Sequence, residues 1–179
     1  MRLDPKFFNR FIAICAAITF VAIIFYTVRH SQSQIRDFES NLERVQADTL
    51  SFRSYTETDS LHTSTLHGSP VVIQFWSTWS GKSHAVNSFL NEFKSENPDL
   101  QVIAGVVRDD ETLVQEYIRT QTFPFLYVDG TSFYQKIFVP GVPSQIFLNS
   151  DGEYVDFHIG DNVDTLREKL TKLVLNEYE

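Results

Sequence analysis

From Phe11 to Val28 the chain runs 18 residues without a charge (FIAICAAITFVAIIFYTV). As an α-helix at ~1.5 Å per residue this run covers ~27 Å, close to the hydrocarbon thickness of a bilayer. Tyr26 stands near one end, where an interfacial aromatic belongs. The competing reading is a cleaved signal peptide. The run is long for one, and only Tyr-Thr-Val-Arg-His follows where a small-x-small cleavage site would stand. Cys15 lies inside the run behind bulky Ile14, which removes the lipoprotein reading. The sequence therefore predicts an uncleaved transmembrane helix over 11–28, with residues 1–10 on one side of it. Arg2, Lys6 and Arg10 precede the span, and Arg29 and Arg36 follow it. That asymmetry favours a cytoplasmic amino terminus and an exported carboxy-terminal domain.

The formal charge of the 179 residues is −8, unevenly spread. Residues 1–30 carry Arg2, Lys6, Arg10 and Arg29 against Asp4, so the rest of the chain holds −11. An acidic body on a basic stem excludes nucleic acid as the expected partner, because phosphates demand lysine and arginine. Cys15 is the only cysteine, so neither an intrachain disulfide nor a cysteine-based zinc site can form. His30, His62, His67, His84 and His158 are scattered without a ligand pattern, and no metal or cofactor is expected.

Residues 31–48 lack glycine and proline, and Ile35, Phe38, Leu42 and Val45 recur at helical spacing on one narrow stripe. The stripe offers a seam for a homodimer, but over barely two heptads. A stalk helix over 29–48, or one packed on the domain, is the plainer reading. From residue 49 the pattern alternates. A short strand around Leu50–Phe52 leads to Val71–Trp76 (VVIQFW), whose near-continuous apolar run reads as a buried central strand. Ser80 to about Ser95 shows Ala85, Phe89, Leu90 and Phe93 at helical spacing, ended by Asn97-Pro98-Asp99. Leu100–Val107 reads as a strand, Glu111–Arg119 as a helix, and Phe123–Phe125 opens an extended piece. Ser144–Leu148, a turn at Ser150-Asp151-Gly152 and Tyr154–His158 form a hairpin, and Val163–Leu175 an amphipathic helix. These elements predict an α/β fold over 49–179, a mixed central sheet flanked by helices.

Val71–Ser83 (VVIQFWSTWSGKS) resembles the active-site strand and turn of the thioredoxin superfamily. The apolar strand, Phe-Trp, two residues, a second Trp and the start of a helix are all in place. Val139-Pro140-Gly141-Val142-Pro143-Ser144 is similar to the family's cis-proline loop, with Pro143 as the cis residue. Gly-Val-Pro-Ser, the preceding Thr122-Phe123-Pro124 and the amino-terminal apolar segment most resemble the membrane-anchored TlpA/ResA branch of the redoxins. The resemblance covers residues 49–175 and implies a thioredoxin-like fold behind the transmembrane helix. It would imply an extracytoplasmic thiol–disulfide oxidoreductase, but both cysteine positions of the family's Trp-Cys-x-x-Cys hold serine, Ser80 and Ser83. Disulfide exchange needs a thiolate to attack sulfur, and a hydroxyl cannot replace it. Gln74 stands where thioredoxins place a buried acid, and Lys82 stands where TlpA-type motifs often carry Glu or Pro.

Two other uses of the serine turn are weaker than a structural one. Ser80 begins a helix, where its oxygen can cap an orphan backbone N–H with no further chemistry. Ser80-Gly81-Lys82-Ser83 ends like a phosphate-binding loop, but Trp76 occupies the position of the required first glycine. Ser80 and His84 share a helix face, yet no Gly-x-Ser-x-Gly elbow is present and no orienting acid is indicated. Lys82 in the first helical turn is read as splayed into solvent, and His84 as an exposed helix residue. Peptide recognition survives the loss of thiols. In this fold, backbone groups before the cis proline can pair with an extended segment. Val142 and Pro143 would supply that edge, with Trp79 as its aromatic wall.

The expectation is a binding or scaffold module without redox activity, with no catalytic residue, tethered in a bacterial cytoplasmic membrane. Its domain faces the periplasm or exterior and meets an exported protein or peptide. The alternative is a TlpA/ResA-like oxidoreductase in which serine has been substituted for both cysteines.

Overall fold

A 38-residue helix, α1 (Pro5–Leu42), opens the chain in the computed structural model, which describes residues 5–46 and 49–178. The chain divides into two compact units, Met1–Asp37 and Phe38–Glu179. In the first unit the apolar run is helical throughout and its large side chains, Phe11, Ile18, Phe20 and Phe25 among them, face outward. Its hydroxyls are satisfied along the helix, Thr19 Oγ1 donating to the Cys15 carbonyl and Thr27 Oγ1 to that of Ile23. Among the described residues α1 is the one helix long and apolar enough to cross a membrane.

The second unit is built on a five-stranded sheet in the order β5-β4-β3-β6-β7. Its strands are β3 (Val71–Trp76), β4 (Gln101–Val106), β5 (Leu126–Asp129), β6 (Ser144–Leu148) and β7 (Tyr154–Ile159). β3 runs parallel to β4 and antiparallel to β6, so the sheet is mixed and β3 is central. That position explains the sequence of β3, since all six of its residues are buried. A two-stranded ribbon, β1 (Ser51–Phe52) with β2 (Leu61–His62), forms a separate small sheet whose continuation bridges to β5 at Ser54 and Val128, and it is followed by a 3-10 turn at Thr63–Leu66.

Strand alternation sorts the core into two layers. Val72, Trp76, Val102, Val106 and Phe147 meet α2 (Gly81–Glu96) through Val86, Phe89, Leu90 and Phe93. The same layer includes Leu166, Leu170 and Leu173 of α5 (Val163–Val174). On the other side Val71, Ile73, Phe75, Ile103, Ile146 and Leu148 meet Phe133 and Ile137, from α4 (Thr131–Lys136) and its carboxy end. Phe38 and Leu42, on the stripe read from the sequence, are buried in this second layer, and Phe38 meets Phe157 edge-on at 5.1 Å. In α2 the sequence reading misplaces one residue: Ala85 is exposed, and Val86 takes its place inside.

Each helix start is capped by a side chain of the expected type where one is available. Asp110 accepts from the backbone of Thr112 and Leu113 at the head of α3 (Glu111–Gln121), and Asn162 accepts from Thr165 at the head of α5. The sheet edge at β7 is blocked. The Phe157 N–H donates to Asp156 Oδ1 at 2.7 Å, and Lys169 Nζ donates to the Phe157 carbonyl at 2.7 Å. With those groups occupied, that point of the edge offers no template for strand addition.

Candidate functional site

The pairing of Phe75 with Ser144 brings two loops to the same end of the sheet. One leaves β3 and enters α2 (77–80); the other joins α4 to β6 (137–143).

The first loop is pinned along its length. Ser77 is fully buried and its Oγ donates to the Val107 carbonyl at 2.7 Å. Thr78 is held twice by one carboxylate: its N–H donates to Asp109 Oδ2 and its Oγ1 to Asp109 Oδ1 at 2.8 Å. Ser80 takes the N-cap of α2, its Oγ accepting from the Ser83 N–H at 3.2 Å. The cap is the structural role that spacing predicts for a serine at the head of a helix. Ser83 is wholly buried, and its Oγ has no partner among the described residues. Lys82 projects into solvent, as expected, and finds one partner there. Its Nζ donates to Asp161 Oδ1 at 3.0 Å, and that hydrogen bond holds the Asp161 carboxyl below the usual carboxylate range. His84 is half-buried rather than exposed, its ring 5.1 Å from that of Tyr117. Among the described residues its Nε2 has no hydrogen-bond partner, and the Ser80 hydroxyl is engaged as the cap.

The second loop carries the Val142–Pro143 peptide in the cis form. It is anchored below the proline, where the Gly160 N–H donates to the Pro143 carbonyl at 3.0 Å and Ser144 Oγ to that of Gly141 at 2.7 Å. Val142 differs. Among the described residues neither its N–H nor its carbonyl has a hydrogen-bond partner. Trp79, from the first loop, is 67% exposed, whereas Trp76 three residues earlier is fully buried.

Behind these loops lies a row of polar residues that the sequence shows only as interruptions in apolar strands. Gln74, Gln145 and His158 are in register across β3, β6 and β7. Both glutamines are fully buried, and Gln145 Nε2 donates to Gln74 Oε1 at 2.6 Å. Gln74 Nε2, Gln145 Oε1 and His158 Nε2 have no partner among the described residues. Burial, and then the nearby Lys169 ammonium, push the His158 pKa down. The imidazole is therefore neutral near pH 7, and the row carries no charge. Two amides cannot release or take up a proton in this pH range, so the row offers no titrating acid beneath the turn.

Among the described residues no three His, Cys, Asp or Glu side chains come together as a metal site. The chain's one cysteine, Cys15, lies in the first unit. The residues that sequence reasoning missed are Asp109, Asp161, Gln145 and His158. Each lies far along the chain from its partner, and strand pairing is the information that joins them.

Taken together, the strand order, the helices on both faces and the cis-proline loop beside the head of α2 define a thioredoxin-like fold. No protein-family model and no curated protein matches the chain. Among solved structures it is similar to a secreted Mycobacterium tuberculosis disulfide oxidoreductase described as homologous to E. coli DsbE. The two are 19% identical, with 75% of this chain and 98% of that one covered and a TM-score of 0.59. It is similar also to a secreted thiol-disulfide isomerase from Corynebacterium glutamicum, at 14% identity, 72% and 85% coverage and a TM-score of 0.63. StoA from Bacillus subtilis is a third, at 16% identity, 66% and 93% coverage and a TM-score of 0.54. At identities this low the likeness is one of fold alone.

Proposed function

We propose that this chain is a thiol-free relative of the TlpA/ResA-type redoxins, tethered by α1 and acting as a binding module for an exported protein or peptide. One observation carries the reading. The loop pair that would receive an extended segment is intact, with Trp79 exposed and the Val142 backbone unbonded, while serine fills both positions where thiols would act. An extended partner would add as a short strand at Val142 and lie against the Trp79 ring. The anchor is taken to span a bacterial cytoplasmic membrane with the domain outside, a reading supported by the flanking lysines and arginines and by two structural neighbours described as secreted.

The full chain should neither reduce insulin disulfides nor form a mixed disulfide; either activity would end this proposal. Capture from membranes should give a partner with the wild type and lose it with Trp79→Ala and with Val142→Asp. Unchanged recovery in both would move the interaction elsewhere.

A second reading is kept alive by the solved structures, which are described as disulfide oxidoreductases and isomerases. In it, serine has been substituted for the two cysteines of an active reductase. Sequencing the native gene at codons 80 and 83 decides between the two. The neutral pair at Gln74 and Gln145 favours the first, since replacing two sulfur atoms would leave a titrating acid behind.

A further inference from the structure

Phe138 combines two features that each lower stability, and the folded domain gives nothing visible in return. It follows the short helix α4, where the turn requires a left-handed residue, and its φ is +57°. Glycine takes that conformation freely, whereas a side chain crowds its own backbone there, at about 1 kcal/mol. The ring is also 66% exposed, although its neighbours Ile137 and Val139 are buried in the core. The Phe138 N–H reaches only the Gln135 carbonyl, at 3.3 Å. The ring itself takes no part in the aromatic contacts of the domain. A strained backbone carrying an exposed aromatic side chain points toward function rather than packing. The residue lies on the loop that ends at Val142 and Pro143, at the sheet end from which Trp79 also projects.

Charge indicates what would cover it. The unit Phe38–Glu179 carries a formal −11. Its acidic run Asp109-Asp110-Glu111 is joined to the Trp79 loop through the two Thr78–Asp109 hydrogen bonds, and its three carboxylates outnumber the cations beside them, Arg108 in sequence and Arg53, which is paired with Glu111. The lysine nearest to Trp79 in sequence, Lys82, is already paired with Asp161.

We infer that Phe138 is a second aromatic contact of the Val142 edge, and that the occupant is an extended peptide segment with an apolar side chain flanked by lysine or arginine. This rests on the binding-module reading above. The segment's backbone would pair at Val142, its apolar side chain would cover Phe138, and its cations would face the acidic loop.

The test uses the full chain in neutral-lipid nanodiscs and three fluorescein-labelled probes followed by anisotropy. The first is the nonapeptide Lys-Lys-Thr-Val-Phe-Val-Thr-Lys-Lys. The second has all four lysines replaced by glutamate, and the third has serine in place of its phenylalanine. The first should bind, and the other two should bind at least tenfold more weakly, with affinity for the first falling as salt rises. Phe138→Gly should weaken the first probe about tenfold while raising the melting temperature by a few degrees, because the strain is relieved. Phe138→Asn, which also tolerates a left-handed backbone, should weaken it likewise. A gain in stability joined to a loss of binding is what a merely structural role cannot give.

If Phe138→Gly and Phe138→Asn bind the probe as the wild type does while Trp79→Ala abolishes binding, the edge stands and the assignment of Phe138 is overturned. If none of these substitutions changes binding, or the first probe does not bind, the edge itself is refuted along with the inference. Equal binding of the lysine and glutamate probes overturns the charge assignment.

Discussion

The two loops at the end of the sheet are built on opposite terms. In the loop 77–80, every polar side chain is spoken for: Ser77 by Val107, Thr78 by Asp109, Ser80 by the head of α2. In the loop 137–143, the backbone of Val142 is unbonded and Phe138 is both strained and exposed. Buried or ordered polar groups left without partners lower stability, so native chains leave few of them. A loop whose polar side chains are all engaged is held in shape by those side chains. A loop with bonds unmade is held by the frame around it and can complete them with another molecule. The contrast assigns the first loop to support and the second to contact, with Trp79 as the one side chain of the supporting loop that projects outward.

The largest effect is expected where the support is densest. Asp109→Ala removes the acceptor of both Thr78 bonds and of the Asp110 N–H, leaving a partly buried backbone donor unpaired. Hydrogen bonds to a charged group contribute about 1.5–3 kcal/mol, and a loss of about 2 kcal/mol should appear as a lower urea midpoint at unchanged slope. Asp109→Asn, which keeps one acceptor, should lose less. A midpoint unmoved by Asp109→Ala would break the contrast, since the first loop would then not depend on its clamp.

Ser80→Ala comes next. Loss of an N-cap oxygen costs about 1 kcal/mol, and Ser80→Asp should restore most of it because a carboxylate at a helix amino end is favoured by the dipole. Ser80→Asp also keeps the cap while removing any hydroxyl chemistry. Binding that persists in Ser80→Asp sharpens the reading of this serine as a cap, whereas binding lost in Ser80→Asp but kept in Ser80→Ala would contradict it.

How far these loops can be read in the sequence follows from the same contrast. The strand VVIQFW, the capping serine and the proline loop are local patterns, and local patterns survive in one dimension. The hairpin Ser144–Leu148 to Tyr154–Ile159 is legible for the same reason, its turn held by Asn149 Oδ1 accepting from Asp151 and Glu153. The short helix α4 is not, since six residues are too few for a periodic signal. Nor is the Thr78–Asp109 clamp, whose members lie 31 residues apart and meet only because β3 and β4 are parallel and in register. The partner of Lys82 is hidden from the sequence for a related reason, because Asp161 arrives from the far end of β7. Gln74 alone is conspicuous as a polar residue in an apolar strand. Its significance comes from Gln145 and His158, which the sheet brings beside it.

That row gives a smaller, pH-dependent effect. Burial and Lys169 hold the His158 pKa below its ordinary value, so the unfolded chain takes up this proton first as pH falls. The stability contributed by neutral His158 is complete above an ordinary histidine pKa of ~6.5. It is lost as pH drops from there toward the folded value. Asp156 and Asp161 act in the opposite sense and moderate the shift. Between pH 7.5 and 5.5 the urea midpoint of the wild type should fall further than that of His158→Gln, in which this group does not titrate. Parallel declines would show that the imidazole is solvated, and the row would cease to be a buried backing for the cis-proline loop.

The smallest change in stability is expected at the most conspicuous residue. Trp79 is two-thirds exposed and touches little, so Trp79→Ala should shift unfolding by no more than about 0.5 kcal/mol. Trp76→Ala, from the fully buried partner three residues earlier, should cost about 3–5 kcal/mol. The chain has only these two tryptophans, which makes the difference visible in fluorescence. In the wild type, emission should divide into a blue, acrylamide-resistant part from Trp76 and a red, quenchable part from Trp79. Trp79→Ala should leave only the blue part. If its emission stays red and quenchable, Trp76 is not buried and the support side of the comparison fails. If Trp79→Ala instead unfolds the domain, Trp79 is packed and cannot be the open wall of the Val142 edge. A spectrum that turns blue with stability unchanged would mean that the domain carries a large apolar ring it does not need for folding, so that the ring's use must lie in what it touches outside the chain.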